Sequence, residues 1–148
     1  MPVDVAVERV IHAPVAQVSA FAGDPSNAPA WYANIKSIRW QTAPPLHVGS
    51  RMTFTARFLG RTLVYTYEVV ALEPGRRLVM QTHEGPFPMQ TTYEWAPAGR
   101  DATRMVLRNR GEPSGFAKVT APLMAAAMRR AMANDLRRLA SILEAPPA

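Results

Sequence analysis

Three histidines, His12, His47 and His83, are the side chains of this 148-residue chain best suited to metal ligation or proton transfer near neutral pH. Their spacing supports neither role: no two stand at the short intervals of a ligand pair, and the chain has no cysteine to complete a site. The absence of cysteine also excludes disulfides and thiolate chemistry. There is no glycine-rich phosphate loop and no nucleophile elbow. Among the acids, Glu68 and Glu94 fall in alternating stretches opposite the aromatic side chains, which predicts that they face water. Asp135 stands near the apolar stripe of a helix, where an ion pair with a neighbouring arginine is expected. Arg9, Asn109 and Glu112 remain as polar candidates. Asn109 continues the phase of Met105 and Leu107, and Arg9 that of Val7 and Ile11, so each is expected to point toward the interior and to orient a polar group of a ligand. No inward carboxylate or histidine is expected, so catalysis has no evident acid-base pair.

The elements that would hold these residues are legible from periodicity. Val3, Val5 and Val7 alternate with Asp4, Ala6 and Glu8, a strand pattern that continues to Ile11. Pro14 suits the first turn of a helix, Val15, Val18 and Phe21 follow at helical spacing, and Gly23 ends it. Asp24-Pro25 reads as a cap and first-turn proline, opening a second short helix or turn that leads through Trp31 and Tyr32 to Asn34. Six strands follow, at 35–42, 48–59, 61–73, 77–84, 89–96 and 103–110. Pro44-Pro45, Gly60, Pro74-Gly75, Gly85-Pro86 and Gly99 separate them, and such short connections imply an antiparallel meander. The N-terminal strand is expected to return to an edge of the same sheet.

A helix of about thirty residues from Ser114 to Glu144, about 45 Å long, closes the chain. Its stripe runs through Phe116, Thr120, Leu123, Ala127, Met128, Met132, Leu136, Leu139 and Leu143. Arg129, Arg130, Arg137 and Arg138 lie largely off it, as a solvated face. Pro122 is expected to bend or restart the helix. Ala145 to Ala148 should form a frayed tail.

Such a helix needs a matching apolar surface, and a curved sheet supplies one with space left between them. The expected lining comes first from one strand face, Met52, Phe54 and Phe58, and from the next, Tyr65 and Tyr67. Met80, Tyr93 and Trp95 follow, then Met105, Leu107 and Asn109. Trp31 joins from the second short helix, and Leu123, Met124 and Ala127 from the long one. Buried Tyr65, Tyr67 and Tyr93 would each require a hydroxyl partner that a ligand or water can provide.

The length suits one compact unit, and no apolar run approaches eighteen residues. With no signal-like N-terminus the expected location is cytoplasmic. The formal charge of +6 is spread over strands, turns and helix, a pattern that fits solubility and argues against a nucleic-acid partner or stable membrane insertion. No cofactor is indicated, and monomer and homodimer both remain open.

The run Ile11-His12-Ala13-Pro14-Val15-Ala16-Gln17-Val18, with Asp24-Pro25 and Trp31 after it, resembles the opening of the START-like superfamily. This superfamily, also called Bet v 1-like or SRPBCC, includes polyketide cyclase/dehydrase-type proteins and lipid-transfer domains. Val48-Gly49-Ser50-Arg51, Glu73-Pro74-Gly75-Arg76-Arg77-Leu78 and Asp135-Leu136-Arg137-Arg138-Leu139 resemble its later turns and the end of its helix. The resemblance implies an α+β helix-grip fold, a curved antiparallel sheet of about seven strands around the long helix, with residues 1–144 as one START-like domain. It also implies a small hydrophobic ligand, lipid-like or polyketide-like. Binding without conversion is the function expected here, and a cyclase or dehydratase using the same cavity is the alternative.

Overall fold

A computed structural model describes residues 3–85, 87–112 and 120–145. Strand β1 (Val3–Ile11) is followed by α1 (Val15–Ala22), a single 3-10 turn (Pro25–Asn27) and α2 (Ala28–Trp31). The meander is β2 (Ile35–Trp40), β3 (Arg51–Phe58), β4 (Arg61–Glu73), β5 (Arg77–Glu84), β6 (Met89–Pro97) and β7 (Thr103–Gly111). Helix α3 (Ala121–Glu144) closes the chain. The seven strands form one antiparallel sheet in the order β1-β7-β6-β5-β4-β3-β2, curled into a half-barrel against which α3 packs. The first strand thus does return to an edge, pairing with the last, with Val3 opposite Gly111 and Ile11 opposite Thr103.

Local chemistry accounts for the short elements. Asp24 accepts a hydrogen bond from the Ser26 amide at 2.9 Å, capping the 3-10 turn whose first residue is Pro25. At Gly23, which ends α1, a Cβ would stand 2.6 Å from the Ser19 carbonyl oxygen. Alternation correctly separates the faces. Met52, Phe54 and Ala56 of β3, Leu63, Tyr67 and Val69 of β4, and Met105 and Leu107 of β7 are buried, while Glu94 is exposed and Glu68 pairs with Arg51 on the outer face.

Several boundaries differ from expectation. Strand β2 stops at Trp40 rather than Thr42, and β3 begins at Arg51 rather than Val48. A turn intervenes because Gly49 has φ of +97° and the buried Ser50 hydroxyl accepts from the His47 amide at 2.9 Å. Helix α3 has 24 residues, beginning at Ala121, so Pro122 opens the helix instead of bending it. Phe116 and the rest of the expected segment from Ser114 to Val119 lie outside the described residues, as do Pro146 to Ala148 of the expected tail.

The stripe of α3 holds at Met132, Leu136 and Leu139 but not along its first turns. Met124, Met132, Asp135, Leu136, Leu139 and Ala140 are buried, whereas Leu123 is 63% exposed and Thr120 faces water. The four arginines of α3 are exposed as expected. Contacts with β1, α1 and α2 hold the helix in place, and Glu144 accepts a hydrogen bond from the His12 amide at 2.7 Å, tying the end of α3 to the end of β1. No described helix is long and apolar enough to cross a membrane.

Candidate functional site

Between the concave face of the half-barrel and α3 lies a cavity of about 120 Å³. Every strand except β5 contributes to its wall, which includes Val3, Ile35, Phe58, Leu63, Tyr65 and Met89. From α3 come Met124, Met128, Ala131, Met132 and Asp135. The space exists because three of the wall positions are small: Ala56, Ala131 and Gly111. At Gly111 nothing larger fits, since a Cβ would stand 2.6 Å from the Pro88 carbonyl oxygen. An inner recess of about 50 Å³, sharing Tyr32, Ile35, Tyr65, Met89 and Asn109 with the main cavity, runs deeper among Phe54, Tyr67, Met80, Thr91 and Tyr93.

The aromatic rings at the recess pack on one another. Tyr65 lies 5.0 Å from Tyr67 and 5.6 Å from Phe54 between ring centroids, and Phe54 lies 5.8 Å from Tyr67. Their hydroxyls define a polar line through an otherwise apolar space. Thr91 donates to Asn109 Oδ1 at 2.6 Å, so its oxygen accepts the Tyr67 proton, also at 2.6 Å. The Asn109 side-chain nitrogen then has no hydrogen-bond partner among the described residues, and neither has the Tyr65 hydroxyl. Tyr93 pairs with Tyr32, oxygen to oxygen, at 2.8 Å. Burial pushes the pKa of all four tyrosines up, which keeps them neutral hydroxyls.

Asp135 corrects two expectations. It is 3% exposed, faces the cavity and forms no ion pair with an arginine among the described residues. One carboxyl oxygen accepts from the Ala33 amide at 3.0 Å, a contact between α3 and the segment after α2. Burial raises its pKa from 3.8 to about 6; the Ala33 hydrogen bond and the charge of Arg138 oppose that shift. Its charge also raises the pKa of Tyr32 and Tyr93, which places the three groups together. An inward carboxyl group that holds or releases a proton near neutral pH is therefore present.

Of the residues expected to line the cavity, Phe58, Tyr65, Asn109 and Met124 do so, and Phe54, Tyr67, Met80 and Tyr93 line the recess. Trp31, Met52, Met105 and Leu107 are buried in packed core. Trp31 stacks 4.2 Å from Tyr32, directly behind the cavity wall. Trp95 instead borders open crevices at the end of the sheet near α1, Leu123 points to solvent, and half-buried Ala127 lies off the wall. Arg9, expected to point inward, is exposed, as is Glu112. The three histidines are exposed too, and no group of three potential metal ligands occurs among the described residues. Sequence reasoning missed Tyr32, Asn34 and Asp135 as wall residues, along with Val3, Ile35, Met89 and Gly111. The period of α3 carried the signal for Asp135, because it shares one helical face with Met124, Met128, Ala131 and Met132.

A curled antiparallel sheet gripping one long helix defines a helix-grip protein. The chain belongs to the polyketide cyclase / dehydrase and lipid transport family, whose model matches residues 2–144. Solved structures share its fold at low identity. A START superfamily protein from Mycobacterium smegmatis superposes with a TM-score of 0.81 at 16% identity, covering 95% of this chain and 97% of that one. The Zhui aromatase/cyclase from Streptomyces sp. R1128 gives 0.78 at 14% identity, covering 97% and 94%. Major latex-like protein 151 from Panax ginseng gives 0.75 at 15%, covering 96% and 97%. A search of curated proteins finds no significant match.

Proposed function

We propose that this protein binds a small, predominantly apolar molecule in the cavity between the sheet and α3. The composition of the wall carries this reading: aromatic, aliphatic and methionine side chains with a few convergent polar groups at Asn109, Tyr65 and Asp135. Apolar ligand surface buried there contributes about 25 cal/mol per Å², less the cost of ordering. The volume of about 120 Å³ sets the scale. An apolar cavity of about 150 Å³ holds benzene, so a one-ring compound or short chain is the ligand size this space suggests. The test is titration with a one-ring solvatochromic dye, read by its emission and by Trp31 fluorescence. Saturable binding that Ala131→Leu abolishes supports the cavity as the site, and equal binding by that variant, folded, places the ligand elsewhere.

A second reading, cyclase or dehydratase chemistry in the same cavity, is favoured by Asp135. A carboxyl titrating near 6 is matched to proton transfer at neutral pH, and the apolar wall could fold a substrate against it. Under this reading wild type turns over an aromatic-polyketide or β-hydroxy carbonyl substrate. Asp135→Asn would then lower turnover about 10²-fold or more with dye binding retained. Binding without turnover across such a screen leaves the carrier function.

A further inference from the structure

The charge on Asp135 bears on what the ligand must contain. One of its oxygens accepts from the Ala33 amide, and the other has no hydrogen-bond partner among the described residues, although the side chain is 3% exposed and faces the cavity. A buried carboxylate satisfied by a single backbone amide leaves most of its acceptor capacity unused. No lysine, arginine or histidine among the described residues lines the cavity or its recess. The groups that face Asp135 are the neutral hydroxyls of Tyr32 and Tyr93, with Tyr65 on the same wall, and the one cation acting on it is solvent-exposed Arg138 of its own helix. Among the described residues the protein therefore supplies an anion inside a largely apolar space and no cationic side chain that pairs with it.

We infer that the cavity takes a small apolar amine, entering as its ammonium ion, with the charged nitrogen on the free oxygen of Asp135 and the hydrocarbon against Phe58, Leu63 and the α3 methionines. This rests on the cavity-binding function proposed above. An ammonium has three donors and no acceptor, and the free Asp135 oxygen accepts from it; the unpartnered Tyr65 hydroxyl and Asn109 side-chain nitrogen are the other free polar atoms of the wall. Tyramine-like or phenylethylamine-like compounds match the volume.

The experiment compares 2-phenylethylamine, 2-phenylethanol and propylbenzene, three molecules of nearly one shape, by calorimetric titration at pH 7.5 and pH 5. The expected result is that the amine binds at least about tenfold more tightly than either neutral compound at pH 7.5. At pH 5, where Asp135 takes up a proton and the amine stays charged, that advantage shrinks to about threefold or less. Asp135→Asn, which keeps an acceptor for the Ala33 amide, removes the advantage at both pH values. None of His12, His47 and His83 lines the cavity, so a pH effect that persists in the variant counts against Asp135. Should the variant fail to fold, the pH dependence of wild type still decides the matter. Propylbenzene or 2-phenylethanol binding as tightly as the amine at pH 7.5 overturns the inference while leaving the cavity reading intact. No binding by any of the three overturns both.

Discussion

Burial holds the Asp135 carboxyl at about pH 6, where an exposed aspartate titrates near 3.8, so between those values the folded protein carries a proton that the unfolded chain has released. The contribution of this group to stability is therefore fully present below pH 3.8 and is lost as pH rises through about 6. The loss is on the order of 3 kcal/mol for a shift of this size. Urea midpoints at pH 4.5, 5.5 and 7 should fall for wild type and stay level for Asp135→Asn; a fall of the same size in the variant assigns it to another group. Thr91 offers a second test at this scale, because it both accepts from Tyr67 and donates to Asn109. Thr91→Val orphans both partners and should cost about 1–3 kcal/mol, whereas Tyr67→Phe, which leaves the Thr91 to Asn109 bond in place, should cost about 1 kcal/mol. Equal losses would show that the hydroxyl line does not act as a unit. Asn109 was legible in the sequence because strand alternation sets it on the face of Met105 and Leu107. Asp135 was not, since its one hydrogen bond is to Ala33, 102 positions away, across the packing of α2 on α3.

Elements, rather than single residues, decide which inward side chains meet the cavity and which are core. Alternation shows that Met52, Met105 and Leu107 share a face with Phe58 and Asn109, but not where along the strands α3 touches the sheet, and that placement divides packed core from open space. The expected stripe runs through Leu123 and Ala127, whereas the observed inward face keeps its Met128, Met132, Leu136 and Leu139 and adds Met124, Ala131 and Asp135. Ala131→Leu should therefore block ligand binding at a stability cost within about 1–3 kcal/mol, while Ala127→Leu, off the wall, leaves binding intact. Ligand titration with thermal melts checks both, and lost binding in the Ala127 variant alone would reverse the assigned face. The end of β7 depends on a close approach. Gly111 pairs with Val3 and Met89, and a Cβ there would stand 2.6 Å from the Pro88 backbone oxygen and 3.2 Å from Met89 Cα. Gly111→Ala should destabilise the protein by about 1–3 kcal/mol and speed amide exchange at the β1-β7-β6 end of the sheet.

At the scale of the whole molecule the architecture was the most legible part, because the order of turn signals between Ile35 and Arg110 leaves few ways to pair the six strands of the meander. The bounds of β4 and β5 are those expected from alternation alone, and the antiparallel meander follows from their short connections. The volume enclosed was not legible, since it is a small difference between the curl of the sheet and the bulk of the side chains filling it. That volume governs the last prediction. Main cavity and recess are about 120 Å³ and 50 Å³, close to the scale of a site for one benzene-sized molecule. In a series of linear alcohols from butanol to dodecanol, affinity should rise by about 0.8 kcal/mol for each methylene that enters the cavity. Once the space is full the gain should stop, at about six to ten carbons for a space of this size. A break in the plot of binding free energy against chain length, measured by dye displacement, is the expected result. Affinity that climbs without a break to dodecanol would mean that the half-barrel and α3 separate to admit longer chains. Amide exchange on α3 and on β3 and β4 would then quicken as the chain lengthens.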